Sequence, residues 1–252
     1  MLDGPEQLAR AVLAELDADE AAVVIVHVYN NTAAEALFRH AQIVHDLHGA
    51  EGRPQVTFRW PSAARAFGYL ADRDAVLAAR DDLVELLDDL TAAAPGQVVV
   101  VAHSMGAFLA MEALGRMAAA RPGSVRRLRA VLLISPDISL PVFLSQLDAI
   151  GERPNPFVVT TSQADRVLDL SARLAGQTER LGTLADARRL RGLGIEVLDL
   201  TALAGDGEAH LLAVTSPAAL ALVRGLAGIP DRSGRADGKT TSEGGTVTGA
   251  RR

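Results

Sequence analysis

The sequence predicts an α/β fold: a mainly parallel sheet of about six strands, helices on both faces, and no large cap domain. Three observations carry this expectation. Short runs rich in valine and isoleucine, without polar alternation, recur along the chain and suit strands buried on both faces of a parallel sheet. Stretches of helical pattern separate them, and strands alternating with helices imply parallel βαβ crossovers. Pro95-Gly96, Pro122-Gly123 and the Gly192/Gly194 pair punctuate the boundaries.

Taken in order, one helical pattern precedes a first strand at Val23–Val28, leaving no room for additional leading edge strands. A helix is expected at about Thr32–His48, where Asn30-Asn31-Thr32 supplies capping side chains. The second strand is Val56–Trp60, followed by a helical stretch over Ser62–Ala94, expected to be broken. Four consecutive valines open the third strand, Val98–Ala102, and the alanine- and leucine-rich run Met105–Ala120 reads as the next helix. Ala130–Ser135 and Phe157–Thr161 are strands four and five, and between them Leu140–Ile150 is a single short helix, too little for a cap. Arg166–Leu190 is helical with breaks near Gly176 and Gly182, Ile195–Leu200 is the sixth strand, and Pro217–Ala227 is the last helix. These elements make one domain over residues 1–230. Residues 231–252 are glycine, serine, threonine and charge with almost no apolar content, and are expected to be a disordered tail.

Composition narrows the function classes. The 252 residues are 49% hydrophobic but only 4% aromatic, so the core is aliphatic. A formal charge of −6 and the lack of a basic, aromatic-studded stripe argue against nucleic-acid binding. There is no cysteine, which excludes disulfides, thiol catalysis and cysteine-ligated metals. His40, His45 and His48 lie on one expected helix without a supporting carboxylate cluster, so no metal site is expected. No apolar run reaches the roughly 20 residues needed to span a bilayer, and a cytoplasmic enzyme without cofactor, of undetermined oligomeric state, is the expectation.

Residues 98–106, VVVVAHSMG, carry the chemistry. A serine on a sharp strand-to-helix turn has its Oγ lifted above the sheet edge, and small residues two positions either side let the turn close. Ala102 and Gly106 flank Ser104 in this way. The amide of Met105 and the helix dipole are then aimed at an oxyanion beside Ser104. A serine nucleophile needs a base and an acid to orient that base. Of the six histidines only His210 follows Ser104, in GDGEAH after the last strand, and it is the candidate base; His103 is expected to buttress the turn. Asp165 in TTSQAD and Asp137 in ISPDIS compete as the acid, and either could instead cap a helix. Tyr29 and Asn30, after the first strand, are the candidates for the second oxyanion amide.

These pieces together resemble a bacterial family of α/β hydrolases of undefined role, whose pattern runs H-G-Y-N-N, S-W-P-S, A-H-S-M-G, P-D-I, S-x-x-D-x-x-L-x-x-S and a late G-H. The matching stretches are His27–Asn31, Arg59-Trp60-Pro61-Ser62, Ala102–Gly106, Ser135–Ile138, Ser162–Ser171 and His210. The resemblance implies an α/β-hydrolase fold, hydrolysis of acyl esters by a serine mechanism, a small-molecule acyl substrate, and a triad of Ser104, Asp165 and His210. Val28 departs from the glycine of the pattern, Arg59 from its serine, and Ala209 and Leu211 from the residues flanking its late histidine. A β-branched residue at 28 is strained wherever the loop requires positive φ, so the alternative is a catalytically impaired pseudo-hydrolase serving as a binding module.

Overall fold

The valine-rich segments form the middle of a six-stranded, wholly parallel sheet. The computed structural model describes residues 5–17, 19–27, 55–61, 69–163, 165, 168, 172, 180–183, 188–201 and 217–227. Within these the order is α1 (Pro5–Leu13), β1 (Ala22–Val26), β2 (Val56–Phe58), α2 (Tyr69–Ala93), β3 (Val98–His103), α3 (Met105–Ala120), β4 (Ala130–Ile134), α4 (Leu140–Ile150), β5 (Phe157–Thr161), a 3₁₀ turn at Leu181–Thr183, α5 (Arg188–Arg191), β6 (Glu196–Asp199) and α6 (Pro217–Ala227). The expected helix at Thr32–His48, most of Arg166–Leu190, and the tail at 231–252 lie outside the described residues.

The spatial order is β2-β1-β3-β4-β5-β6. β1, β3, β4 and β5 are buried along their whole length, which is why their sequences show no polar alternation. The edge strands are short: β2 has three residues, and β6 carries exposed Glu196 and Asp199. Alternate residues of each strand feed two cores. Val24, Val100, Leu133 and Val159 face the layer of α1, α2, α3 and α4, while Val23, Val99, Leu132 and Val158 face α6 through Val223 and Ala227. The chain between β4 and β5 holds α4 alone, opened by Pro141 in its first turn and closed by Gly151 at φ 66, so no cap domain is inserted there.

Four strands stop earlier than their apolar pattern. β1 ends at Val26 rather than Val28 and β2 at Phe58 rather than Trp60, because His27 and Trp60 turn to pack on each other. β4 ends at Ile134 because Ser135 takes φ 42, outside the extended region. The sixth strand is Glu196–Asp199, one residue shorter at each end than its pattern.

Sheet order also locates the site. From β1 the chain moves outward to β2, returns past β1 to β3, and continues in the other direction. The order reverses between β1 and β3, and the crevice at the carboxyl ends of such strands is where doubly wound sheets bind ligands. His27 follows β1 and Ser104 follows β3, on either side of that crevice.

Candidate active site

Ser104 occupies a strained turn. Its φ of 54 and ψ of −119 lie outside the regions favoured by residues with a Cβ, and only Ser135 shares positive φ among the described non-glycine residues. Such a conformation costs on the order of 1–3 kcal/mol and persists only where surrounding bonds impose it. Here the Ser104 N–H donates to the Ile134 carbonyl at 3.0 Å, while its own carbonyl accepts from Ala107 N–H at 3.0 Å and Asp137 N–H at 3.1 Å. Ser104 stands at the N-cap of α3, yet its hydroxyl makes no capping bond. The ordinary job of a serine before a helix is therefore not what holds it there. Met105 follows as the first residue of α3, where a backbone N–H has no partner within the helix.

Gly106 shows why the turn needs a small residue. A Cβ there would lie 2.5 Å from the Val26 carbonyl oxygen and closer still to that of His27. Both are backbone atoms, so the first turn of α3 is pressed against the end of β1 with no space for a side chain. The His27 carbonyl is also fixed from its other side. Trp60 Nε1–H donates to it at 3.1 Å, and the His27 and Trp60 rings stack at 5.5 Å between centroids with 10° between planes. The Trp60 backbone N–H reaches His27 Nε2 at 3.4 Å. The histidine of the first motif and the tryptophan of the second thus brace the carboxyl ends of β1 and β2 against each other. Arg59, beside them, is exposed. His103 is the buried last residue of β3, and strand alternation directs it to the α6 face of the sheet.

Asp137 is engaged by a buried cation. Arg180 Nε lies 3.0 Å from Asp137 Oδ1, with side-chain exposures of only 1% and 3%. The same guanidinium donates through NH2 to the Tyr69 hydroxyl at 2.9 Å, and its carbon sits 5.9 Å from the Tyr69 ring centroid. Burial and then the Asp137 carboxylate push the Tyr69 phenol above its ordinary pKa, opposed by Arg180 and Arg73. The segment carrying Arg180 is strapped across the carboxyl ends of β4 and β5. Leu181 N–H donates to Ile138 O at 2.8 Å, Gly182 N–H to Pro136 O at 3.1 Å, and Ser162 N–H to Gly182 O at 2.7 Å. A Cβ on Gly182 would stand 2.8 Å from the Ser135 carbonyl carbon, so only glycine lets the strap lie this close.

Asp165 belongs to the same assembly. It is fully buried, its N–H donates to Ser162 O at 3.3 Å, and its Oδ1 accepts from Leu168 N–H at 3.1 Å. One carboxylate oxygen therefore does cap the following turn, as an aspartate after a strand is apt to do. Ser104, Met105, Asp137 and Asp165 all stand at the carboxyl end of the sheet, joined through the 134–138, 162–165 and 180–183 backbones. His210, Tyr29, Asn30 and Val28 lie outside the described residues.

Arg180 and Tyr69 are not foreseeable from local pattern. They are 111 residues apart and meet only through the fold; the nearest local signal is the break at Gly182. A cavity of about 750 Å³ opens elsewhere, at the amino-terminal ends of β5 and β6. There Arg153 is tied to the Gly151 and Leu193 carbonyls, and no residue of the candidate site lines it. Among the described residues no group of three or more His, Asp or Glu is placed to hold a metal ion, and no helix is long and apolar enough to cross a membrane.

Comparison with known proteins places the chain. No curated protein matches it. Residues 6–226 match the model of the family described as alpha/beta hydrolase of unknown function (DUF900). That span runs from α1 to α6 and contains the strained Ser104 turn, the His27–Trp60 brace and the Asp137–Arg180 pair. The chain belongs to this family of α/β hydrolases.

Proposed function

We propose that this protein is a serine hydrolase that cleaves acyl esters of small molecules through an acyl-enzyme on Ser104. The observation that carries the reading is the Ser104 turn, a strained serine between a buried strand and a helix whose hydroxyl does not cap that helix. In the proposed reaction His210 takes the proton from Ser104 Oγ as the oxygen attacks the ester carbonyl carbon. The tetrahedral oxyanion is held by Met105 N–H and by an amide from Tyr29 or Asn30. Collapse expels the alcohol, protonated by His210. A water molecule, deprotonated by the same imidazole, then releases the acid and restores the serine.

Asp165 is proposed as the acid that orients His210. An acid in this role stabilises the imidazolium that forms in the transition state, so its charge must not already be neutralised. Asp137 already has a guanidinium at 3.0 Å, and Asp165 stands in the loop after β5 to which the family resemblance assigns the acid. The absence of an inserted cap between β4 and β5 supports an open acyl site. The test is turnover of short-chain p-nitrophenyl esters. Ser104→Ala and His210→Ala should reduce it to background. Asp165→Asn should lower it by roughly 10²–10⁴-fold, the range for losing a triad acid, and Asp137→Asn by much less. Folded wild-type protein without turnover would favour the binding-module reading, and the reverse ranking of the two aspartates would assign the acid to Asp137.

A further inference from the structure

Four arginines stand along the seam between α2 and α3, and three of them have acids. Arg80 lies 3.6 Å from Asp81 and 3.8 Å from Glu112, Arg116 lies 3.2 Å from Asp81, and Arg121 lies 2.8 Å from Asp88. The fourth, Arg73, is half-buried and forms no ion pair with a carboxylate among the described residues. Its guanidinium carbon sits instead 4.4 Å from the centroid of the Phe108 ring. A cation over a ring face is held by its charge, so its N–H donors still need acceptors. The Tyr69 hydroxyl beside it has two lone pairs, and Arg180 already takes one at 2.9 Å. Tyr69 therefore satisfies at most one of the five donors of Arg73.

This cation stands next to the nucleophile. Both α2 and α3 run from the carboxyl end of the sheet toward its amino end, and helix side chains lean toward the amino end of their own helix. The Phe108 ring, 5% exposed, therefore covers the turn that starts at Ser104, about 6 Å of helical rise before it. Arg73 leans the same way from α2, one turn after Tyr69. From the other side Tyr69 meets Arg180, whose partner Asp137 donates its N–H to the Ser104 carbonyl at 3.1 Å.

We propose that Arg73 is a specificity-determining residue, whose guanidinium receives a carboxylate carried by the ester at a distance from the scissile bond. The proposal rests on the serine-hydrolase reading and narrows its substrates to small esters that carry an acid group. The Phe108 ring and the aliphatic stem of Arg73 give the intervening carbons an apolar floor. The planar fork matches the two oxygens of a carboxylate, and such charge-assisted pairs are among the stronger polar contacts. The carboxylate stays intact; the bonds broken and formed are those of the ester alone.

The experiment compares kcat/KM of the full chain on matched pairs of esters. One pair sets the carboxylate on the acyl side, p-nitrophenyl hydrogen glutarate against p-nitrophenyl hexanoate. The other sets it on the alcohol side, para-acetoxybenzoate against phenyl acetate. Wild-type protein should prefer the carboxylated member of one pair by about tenfold or more, and that pair identifies the side. Arg73→Met keeps a stem over Phe108 but removes the charge, and should lower the preference about tenfold. The loss should appear in KM rather than kcat, because a distant anchor holds substrate and transition state alike. Arg73→Lys, which restores the charge without the fork, should recover part of the preference. Should Arg73→Met fail to fold, Arg73→Gln takes its place. An arginine that only covers Phe108 would lower both members of a pair alike when replaced. That result, or a wild type without preference in either pair, overturns the proposal and leaves the hydrolase reading standing. Folded wild-type protein that turns over none of these esters overturns the hydrolase reading, and this proposal with it.

Discussion

Trp60 and His27 are locked to each other twice, by stacked rings 5.5 Å apart and by a 3.1 Å bond from the indole N–H to the His27 carbonyl. The two residues come from separate motifs at the ends of neighbouring strands, and the bond fixes the carbonyl of the residue that follows β1. Gly106 closes on that carbonyl from the other side. The first turn of α3 and the Trp60 indole thus close on one shared atom, the His27 carbonyl oxygen.

Trp60→Phe preserves an aromatic ring but removes the donor. The His27 carbonyl then loses its bond in a part-buried site, a loss of about 0.5–1.5 kcal/mol. Both the urea midpoint and the rate of Ser104 labelling should fall. A variant with unaltered midpoint and labelling would show that the brace does not support the site.

Gly106→Ala and Gly115→Ala, on the same helix, should act in opposite directions. At 106 the new Cβ meets two backbone carbonyls, and at 115 it meets nothing within 4 Å. The first should lose about 1–3 kcal/mol of stability and most of the labelling, because helix and strand must separate. The second should gain about 0.5–1 kcal/mol, as alanine restricts the unfolded chain and suits the helix interior. Thermal or urea unfolding of both proteins checks the contrast.

Tyr69→Phe has a pH signature. The phenol is raised above its ordinary value of 10.0, chiefly by burial and secondarily by Asp137. A group whose pKa is higher folded than unfolded contributes stability that is fully present below the unfolded value and is lost as pH rises through the folded one. At pH 7 the variant should be less stable by about 1–3 kcal/mol, having lost the oxygen that accepts from Arg180. Above pH 10 the gap to wild type should narrow, since only wild type pays to keep this phenol protonated. Urea midpoints of both proteins at pH 7 and above pH 10 make the comparison, and a gap independent of pH would contradict the burial argument.

Elements whose limits depend on local chemistry were legible in the sequence. Met105–Ala120, Leu140–Ile150, Phe157–Thr161 and Pro217–Ala227 stand where their patterns place them, since an apolar period bounded by glycine, proline or serine is local information. The ends of β1, β2 and β4 were not, because His27, Trp60 and Ser135 leave the strand for contacts with distant residues. The turn at Ser104 was legible for the same local reason, small residues between a buried strand and a helix. Arg180 was not: nothing in TERLG distinguishes this arginine from those on the surface, and its burial depends on Asp137, Tyr69 and the strap meeting in space.

The central claim is that Ser104 is an activated nucleophile, and the most direct test is covalent modification by a fluorophosphonate, located by mass spectrometry of the digested protein. The account predicts a single phosphonyl adduct on the Ser104 peptide of wild-type protein at neutral pH, absent from folded Ser104→Ala and from His210→Ala. Folded wild-type protein that stays unmodified, or that carries its adduct on another residue, would contradict it.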